Sequence, residues 1–369
     1  MGDATRPTRV MLTTDAVGGV WRWAVELAAG LATCGARVLL VVMGPPPSPA
    51  QHAEAQAIHG CELRCTGLSL EWLASEPRKV ADAARVLARL AAEWGAETIQ
   101  VHAPALAADA VWPAPVIATA HSCVRTWWQA VRKGPLPPDL AWRAQLTARG
   151  LGAAGAVIAP SESFALALLD AYRLERPIYV VPNGCRPVSV VQARRPQALT
   201  AGRLWDEGKN VPRLDEAAGM LDARVLAAGP VAGPNGATIA CRHLRLLGTL
   251  DNAALAREYA TAAAFVSVSC YEPFGLAVLE AAQSGCALIL SDIPTFRELW
   301  KGAALFVPPD DPAAIATALR RTIADEAIHD DLAAKAQARA VRYTTQAMTA
   351  ATWRVHRDLA ETARTVRAT

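Results

Sequence analysis

The sequence predicts an α/β protein with two doubly wound, Rossmann-like domains facing a central cleft. Short apolar runs alternate with helical patterns along the chain, which is typical of parallel sheets covered by helices. At 369 residues the chain is long for one domain and suits two. Hydrophobic residues make up 52% of it and charged residues 19%, so two large cores can be filled.

The apolar runs form two sets of six predicted strands. The first set is Arg9–Leu12, Arg37–Met43, Thr98–His102, Val116–Ala120, Ala156–Ala159 and Ile178–Val181. The second set is Ala198–Ala201, Arg224–Ala227, Leu244–Leu247, Ala264–Val268, Ala287–Leu290 and Ala304–Val307. Turn residues Pro182-Asn183-Gly184 separate the sets, so we predict domains over 1–185 and 186–349.

The composition excludes several functional classes. A formal net charge of +3 gives no reason to expect nucleic-acid binding. The first ten residues lack the apolar stretch of a secretory signal, and prolines and glycines interrupt the longest uncharged runs. The eight cysteines show no metal-ligand spacing. We therefore expect a cytoplasmic protein with reduced thiols and no bound metal.

A glycine-rich turn follows the first predicted strand. Residues 15–20 read DAVGGV and lead into a predicted helix. The pair Gly18 and Gly19 lets a ligand approach the backbone closely, and a helix N-terminus favours an anion such as phosphate. The turn lacks the G-x-G-x-x-G pattern and the ribose-binding acid of dinucleotide-dependent oxidoreductases. An ordinary tight turn is the alternative.

A second loop, residues 200–210, reads TAGRLWDEGKN and follows the first strand of the second set. It places Arg203 and Lys209 beside a glycine turn, where a forked guanidinium and a compact ammonium suit a diphosphate. The alternative is a solvated loop in which both cations pair with Asp206 and Glu207.

Residues 271–281 read YEPFGLAVLEA and hold two glutamates eight residues apart. Glu272 lies in a predicted turn, and Glu280 lies two turns into a helix predicted over Leu276–Gln283. Because an unpaired buried carboxylate is costly, ligand hydroxyls are good partners for Glu280, and a vicinal diol suits its two oxygens. Alternatively, Glu272 caps the helix, or either glutamate pairs with a neighbouring arginine.

The set of motifs resembles the retaining family 4 type of GT-B glycosyltransferases. The E-P-F-G-L-x-x-L-E-A segment resembles their E-x7-E motif, and the A-G-R-L loop with its following Lys209 resembles their G-R-L segment. Ala228-Gly229-Pro230 resembles their G-x-G-P turn, and residues 247–250, LGTL, resemble their F-L-G-x-V/L segment. The markers span nearly the whole chain. They imply a GT-B fold whose last helix, 350–369, returns to the first domain and is anchored by Trp353.

The resemblance implies where the nucleotide of a sugar nucleotide binds. Glu280 would hold the ribose hydroxyls. Arg203 and Lys209 would neutralise the diphosphate, aided by the amides of Gly18 and Gly19.

For the sugar and the base, the resemblance implies a second group of contacts. Glu272 and the backbone amides of Phe274, Gly275 and Leu276 would hold the donor sugar. Leu250 would border the base.

His121 follows the fourth predicted strand, where the family has a histidine at the donor sugar. The resemblance therefore implies a catalytic role for His121 together with Glu272, and His102 is a weaker candidate. A satisfied structural histidine is the alternative.

An acceptor surface is predicted from tryptophans, whose indole faces stack on sugar rings. Those in the first domain are Trp21, Trp23, Trp127, Trp128 and Trp142, and some of them are expected in the core. Basic residues near them favour an anionic or membrane-bound acceptor, with peripheral membrane contact: Arg22, Arg125, Arg132 and Lys133.

The predicted function is transfer of a sugar from a nucleoside-diphosphate sugar to a hydroxyl acceptor, either a glycan, a lipid-linked acceptor or a small molecule. The chain has no Asp-x-Asp triplet, so no metal is expected. The resemblance implies retention of anomeric configuration, with the leaving phosphate accepting the acceptor's proton. A nucleotide-sugar epimerase of GT-B shape and a non-catalytic sugar-nucleotide-binding subunit remain as alternatives.

Overall fold

The computed structural model describes residues 8–132, 134–187, 190 and 192–368, without the side chains of 366–368. Lys133, the first seven residues and part of the segment after Gly184 lie outside the described residues. The chain divides into two compact units. Unit 1 holds the described residues of 8–129, 134–184 and 345–368, and unit 2 holds 130–132 and the described residues of 185–344.

Unit 1 is built on a seven-stranded parallel sheet. Its strands are β1 (Arg9–Asp15), β2 (Arg37–Met43), β3 (Cys61–Cys65), β4 (Thr98–Val101), β5 (Val116–Thr119), β6 (Ala156–Ala159) and β7 (Tyr179–Val180). Their order is β3-β2-β1-β4-β5-β6-β7. The helices of this part of the chain are α1 (Gly19–Thr33), α2 (Pro49–Gln56), α3 (Pro77–Trp94), α4 (Val124–Val131), α5 (Pro138–Ala153) and α6 (Glu162–Tyr172).

The prediction of six strands in the first set was wrong by one, because β3 was missed. Its sequence, CELRC, alternates with charged residues and contains no apolar run. As an edge strand it pairs only with β2 and is partly exposed along its whole length, so it needs no continuous hydrophobic sequence.

Unit 2 is built on a six-stranded sheet whose strands match the second predicted set. They are β8 (Arg195–Ala201), β9 (Arg224–Ala228), β10 (Arg245–Gly248), β11 (Ala262–Ser267), β12 (Ala287–Ser291) and β13 (Leu305–Val307), in the order β10-β9-β8-β11-β12-β13. The helices are α7 (Val211–Ala218), α8 (Asn252–Thr261), α9 (Leu276–Gln283), α10 (Pro294–Trp300), α11 (Pro312–Ala324) and α12 (Glu326–Ala340).

Both sheets reverse their winding direction beside their first strand. In unit 1 the reversal lies between β1 and β4, and in unit 2 between β8 and β11. Parallel strands bury both faces under helices, which explains their near-continuous apolar sequences. The two parallel, doubly wound sheets confirm the predicted fold class. At such a reversal the loops leaving neighbouring strands diverge, which opens a crevice at their carboxyl ends for a ligand.

The last helix, α13 (Thr345–Ala368), belongs to unit 1. The Thr345 hydroxyl donates to the buried carboxylate of Glu26 on α1 at 2.8 Å. His356 is fully buried and bonds at both ring nitrogens, to Thr98 Oγ1 at 2.8 Å and to Gln100 Oε1 at 2.9 Å on β4. Trp353 is 8% exposed. The helix thus combines buried polar contacts with a buried apolar side chain at Trp353.

Candidate functional site

The loop after β8 is held in shape by its own backbone and by its neighbours. Asp206 accepts from the amide of Gly208 at 2.9 Å, and Asn210 adopts a left-handed conformation with φ of 55°. The Asn210 side chain donates to the carbonyls of Val268 at 3.1 Å and Pro309 at 2.6 Å. Lys209, which lies between these anchors, therefore starts from a fixed position.

Two backbone bonds connect this loop to the segment that carries Glu272. The amides of Cys270 and Tyr271 both donate to the carbonyl of Gly208, at 2.9 and 3.2 Å. As a result, the Lys209 ammonium forms an ion pair with the Glu272 carboxylate. Their side chains are 24% and 13% exposed, so the pair is largely shielded from water.

Arg203 takes the contact that was predicted as its alternative. Its guanidinium lies 3.0 Å from Asp206 Oδ2 and 5.7 Å from the centre of the Trp205 ring. The Arg203 side chain is 40% exposed, so it remains accessible to an anion. Lys209, by contrast, pairs with Glu272 rather than with Asp206 or Glu207.

The loops after β8, β9 and β10 meet backbone to backbone. The amide of Gly202 donates to Ala228 O at 3.0 Å, and the amide of Gly229 donates to Gly248 O at 2.8 Å. Gly229 has φ of 140°, and a Cβ added there would overlap the carbonyl oxygen of Gly202. Only glycine permits this approach, which keeps the carboxyl edge of the sheet free of side chains beside Arg203.

The helix α9 begins where the E-x7-E segment predicts it. Gly275 precedes it with φ of 91°, and among the described residues no side chain caps its first turn. Glu272 therefore does not act as the cap. The Phe274 ring is buried edge-on against Tyr343, with centroids 5.7 Å apart. Phe274 can contact a ligand through its backbone, as can Leu276 at the start of the helix.

Glu280 lies on α9, partly buried, with the buried hydroxyl of Tyr259 from α8 donating to its Oε2 at 3.3 Å. Burial and the neighbouring Glu280 charge raise the pKa of Tyr259 well above its ordinary value, so the phenol stays a proton donor. Leu250, predicted to border the base, packs at the edge of the same core.

In unit 1, the turn after β1 is shaped by Asp15 and supported by α2. Asp15 Oδ1 accepts from the amide of Val17 at 2.8 Å, and Gln51 of α2 donates to Ala16 O at 3.2 Å. Gly18 is the residue before α1, and no described side chain caps that helix. The amides of Gly18 and the exposed Gly19 are therefore placed at an open helix N-terminus.

His121 follows β5 and packs edge-on against the buried ring of Trp23, with centroids 4.3 Å apart. Its Nε2 is buried and has no hydrogen-bond partner among the described residues. Burial, and secondarily His102, lower the pKa of His121 to about 3, so the ring is neutral near pH 7.

His102 follows β4, beside His121. Thr13 Oγ1 accepts from the His102 amide at 3.0 Å and lies 2.7 Å from its Nδ1, so the hydroxyl proton is directed to Nδ1. The Nε2 nitrogen then carries the ring proton. Burial lowers the pKa of His102, which keeps this neutral form. No described residue accepts from Nε2.

Glu71 is a buried ionisable residue near the turn after β1 that the sequence did not indicate. Its Oε2 is buried without a hydrogen-bond partner among the described residues. Burial, together with the Asp15 charge, raises the pKa of Glu71 to about 7. Arg143 donates to the backbone carbonyls of Glu71 at 3.3 Å and Ala74 at 2.7 Å rather than to the carboxylate. No local pattern marks Glu71, because these groups come from separate segments.

The five tryptophans divide by exposure. Trp21 and Trp23 are each 3% exposed, and the Trp21 indole donates to Glu54 at 3.0 Å. These two pack within unit 1 and offer no free face to a sugar. The partly exposed tryptophans are Trp127 and Trp128 on α4 and Trp142 on α5.

Two family models match successive parts of the chain. "Glycosyltransferase Family 4" matches residues 17–187, and "Glycosyl transferases group 1" matches residues 195–325. Together they cover most of the chain, with a gap where the two units join.

Two curated proteins are similar over shorter stretches. O-antigen chain mannosyltransferase B of Escherichia coli is 31% identical over 27% of this chain and 26% of its own length. A phosphatidyl-myo-inositol mannosyltransferase of Mycolicibacterium smegmatis is 32% identical over 31% of this chain and 30% of its own length. The chain thus matches less than a third of the length of either relative.

Solved structures match the fold over nearly the whole chain. Sucrose-phosphate synthase from Thermosynechococcus elongatus has a TM-score of 0.76 at 19% identity, over 95% of this chain and 99% of that one. WaaG, a glycosyltransferase involved in lipopolysaccharide biosynthesis, has a TM-score of 0.71 at 14% identity, over 94% and 99%. The two family models together with these fold matches establish that the chain belongs to the family 4 type of glycosyltransferases with the GT-B fold.

Proposed function

We propose that the protein transfers a sugar from a nucleoside-diphosphate sugar to a hydroxyl group of a glycan or lipid-linked acceptor, without a metal. The contact that carries the proposal is the Lys209–Glu272 pair, with Glu280 eight residues further along. The pair offers an ammonium to a phosphate and a carboxylate to sugar hydroxyls, and Glu280 offers a second carboxylate to a ribose diol.

Unit 2 is assigned to the donor. Arg203 and Lys209 bind the diphosphate, and they stabilise the negative charge that grows on it as the bond to the sugar breaks. Glu272 and the amides at the start of α9, which no described side chain caps, orient the sugar. Glu280 accepts hydrogen bonds from the ribose, and Leu250 borders the base.

Unit 1 is assigned to the acceptor side. His121 is the residue of this unit that we assign to catalysis, and the amides of Gly18 and Gly19 bind an anionic oxygen of the substrate. Trp127 and Trp128 supply partly exposed rings for sugar stacking. The sugar–phosphate bond breaks and the acceptor oxygen bonds to the same carbon with retention. The leaving phosphate oxygen takes the acceptor's proton.

The names of the relatives support the acceptor class. One curated relative is named for O-antigen chains and the other for phosphatidyl-myo-inositol, and a structural neighbour is described in lipopolysaccharide biosynthesis. Among the described residues, none of the helices is both long enough and apolar enough to cross a membrane. We propose that a lipid-linked acceptor would be met at the membrane surface.

A thermal-shift screen of UDP, GDP, ADP and their glucose and mannose derivatives tests the proposal, because ligand binding raises the unfolding temperature. We expect one base to stabilise the protein, and its sugar nucleotide to be consumed only with an acceptor. Epimer formation without acceptor would identify an epimerase. Stabilisation without turnover on lipid-linked and free glycans would identify a binding subunit, and no stabilisation by any of them would overturn the donor site.

A further inference from the structure

Glu280 and Tyr259 are joined across two packed helices, and the role of the tyrosine is not explained by core packing alone. Its ring is 2% exposed and lies 5.7 Å from that of Phe265. Its hydroxyl donates to Glu280 Oε2 at 3.3 Å. A phenylalanine would fill the same core space, so what the hydroxyl adds is its bond to Glu280.

The backbone of Tyr259 is itself fixed at the end of α8. Arg194 donates to the Tyr259 carbonyl at 3.0 Å and to Ala262 O at 2.6 Å, and the Cys286 thiol donates to the same Tyr259 carbonyl at 3.1 Å. These contacts satisfy a helix C-terminus that would otherwise lack partners. The phenol therefore projects from a rigid base toward Glu280.

A carboxylate that accepts hydrogen bonds from both hydroxyls of a diol must hold its two oxygens in a defined orientation. A glutamate side chain without a restraint samples several rotamers. A donor bound to one carboxylate oxygen restricts that rotation. We propose that Tyr259 is a positioning residue that orients Glu280 for the ribose hydroxyls of the nucleotide. This inference rests on the proposed role of Glu280.

The test compares a ribonucleoside diphosphate with its 2′,3′-dideoxy counterpart, using whichever of UDP, GDP and ADP binds most tightly. The dissociation constant of the dideoxynucleotide divided by that of the ribonucleotide measures recognition of the ribose hydroxyls alone. Tyr259→Phe should weaken binding of the ribonucleotide about three- to tenfold, less than the loss of a direct contact to a charged group because only the orienting bond is removed, and leave the dideoxynucleotide unchanged. Isothermal titration calorimetry gives both constants.

Tyr343→Phe is the matched control. Tyr343 belongs to the same core and also loses one hydrogen-bonded hydroxyl, but its partner is the carbonyl of Leu299 at 3.2 Å. This variant should keep the wild-type ratio. Thermal unfolding without ligand shows whether either substitution disturbs the fold.

Glu280→Ala tests the assignment of Glu280 to the ribose separately from the positioning role of Tyr259. It should bring the affinities for the two nucleotides close together, and adding Tyr259→Phe to it should cause no further loss for the ribonucleotide. If Glu280→Ala lowers the ratio but Tyr259→Phe leaves it at or above the wild-type value, or weakens both ligands equally, the positioning role is overturned. If Glu280→Ala itself preserves the ratio, the ribose assignment is wrong and the role of Tyr259 falls with it.

Discussion

Lys209 and Glu272 form an ion pair between two loops of unit 2, at the place where a sugar diphosphate is proposed to bind. The charge of each side chain is therefore already balanced by the other before a donor binds. A donor that takes phosphate contacts from Lys209 and hydroxyl contacts from Glu272 must exchange this pair for two new interactions. The bare diphosphate satisfies only the lysine.

Glu272→Ala should bind the bare nucleoside diphosphate at least as well as the wild type, because Lys209 then has no competing carboxylate. Its transfer rate should fall by about 100-fold or more, since correct placement of the sugar governs the barrier. Calorimetry with the diphosphate and a transfer assay measure the two effects. Loss of diphosphate binding in this variant would contradict the assignment of Glu272 to the sugar.

Lys209→Ala and Arg203→Ala should each weaken diphosphate binding, because each removes a cation from the proposed phosphate site. Loss of a charged hydrogen bond of about 1.5–3 kcal/mol corresponds to roughly 10- to 150-fold in affinity. Arg213→Ala is the control, since Arg213 is an exposed residue that pairs with Glu216 on α7. Wild-type affinity in both loop variants would contradict the assignment.

Gly229→Ala should destabilise unit 2 and reduce nucleotide binding together. The added methyl group would collide with the carbonyl of Gly202, and φ of 140° disfavours any side chain there. Gly236→Ala is a suitable control, because Gly236 also has positive φ, of 83°, but no atom lies within 4 Å of its added Cβ. Thermal unfolding of the two variants separates the cost of the collision from that of positive φ.

The buried histidines should make stability fall in acid. Burial lowers the pKa of His356 from 6.5 to about 3, so the unfolded chain takes up the proton first as the pH falls. This contribution is complete above pH 6.5 and is lost progressively between pH 6.5 and 3, at up to about 1.4 kcal/mol per pH unit. His356→Gln should flatten the dependence of the free energy of unfolding on pH between 6.5 and 5, whereas substitution of the exposed His59 should not.

Glu71 should have the opposite dependence. Its raised pKa of about 7 means that the folded protein holds a proton which the unfolded chain releases above pH 4.5, so stability is lost as the pH rises from 4.5 to 7. Glu71→Gln should therefore raise the unfolding temperature at pH 8 by about 2–4 °C and change it less at pH 5. A gain at pH 5 as large as that at pH 8 would show that Glu71 is already charged at pH 5 in the folded protein.

The sequence predicted most strands and the start of α9, because both depend on local pattern. Buried strands need continuous apolar residues, and the start of α9 is marked by a glycine turn. The edge strand β3 is partly exposed and has no such apolar run. Contacts between distant segments could not be predicted in this way. Glu272 and Lys209 were each expected to bind a ligand, but their mutual pairing depends on the backbone bonds to Gly208.

Contacts of buried residues with partners distant in sequence could not be predicted either. Tyr259 precedes Glu280 by 21 residues and Glu71 is far from Asp15 in sequence, so no spacing rule connects either pair. For tryptophan, residue type alone does not distinguish Trp21, which is buried and bonded to Glu54, from Trp127, which is partly exposed. Burial is decided by packing, which a single sequence does not encode locally.

The position of α13 has a consequence for how the protein is made. Glu26, Thr98 and Gln100 lie in the first part of the chain, but their buried partners Thr345 and His356 are translated more than 240 residues later. During synthesis, these groups therefore lack their partners on α13 until the whole of unit 2 has been synthesised. The buried polar contacts of unit 1 are thus completed only after α13 is synthesised, although the sheet of this unit is made first.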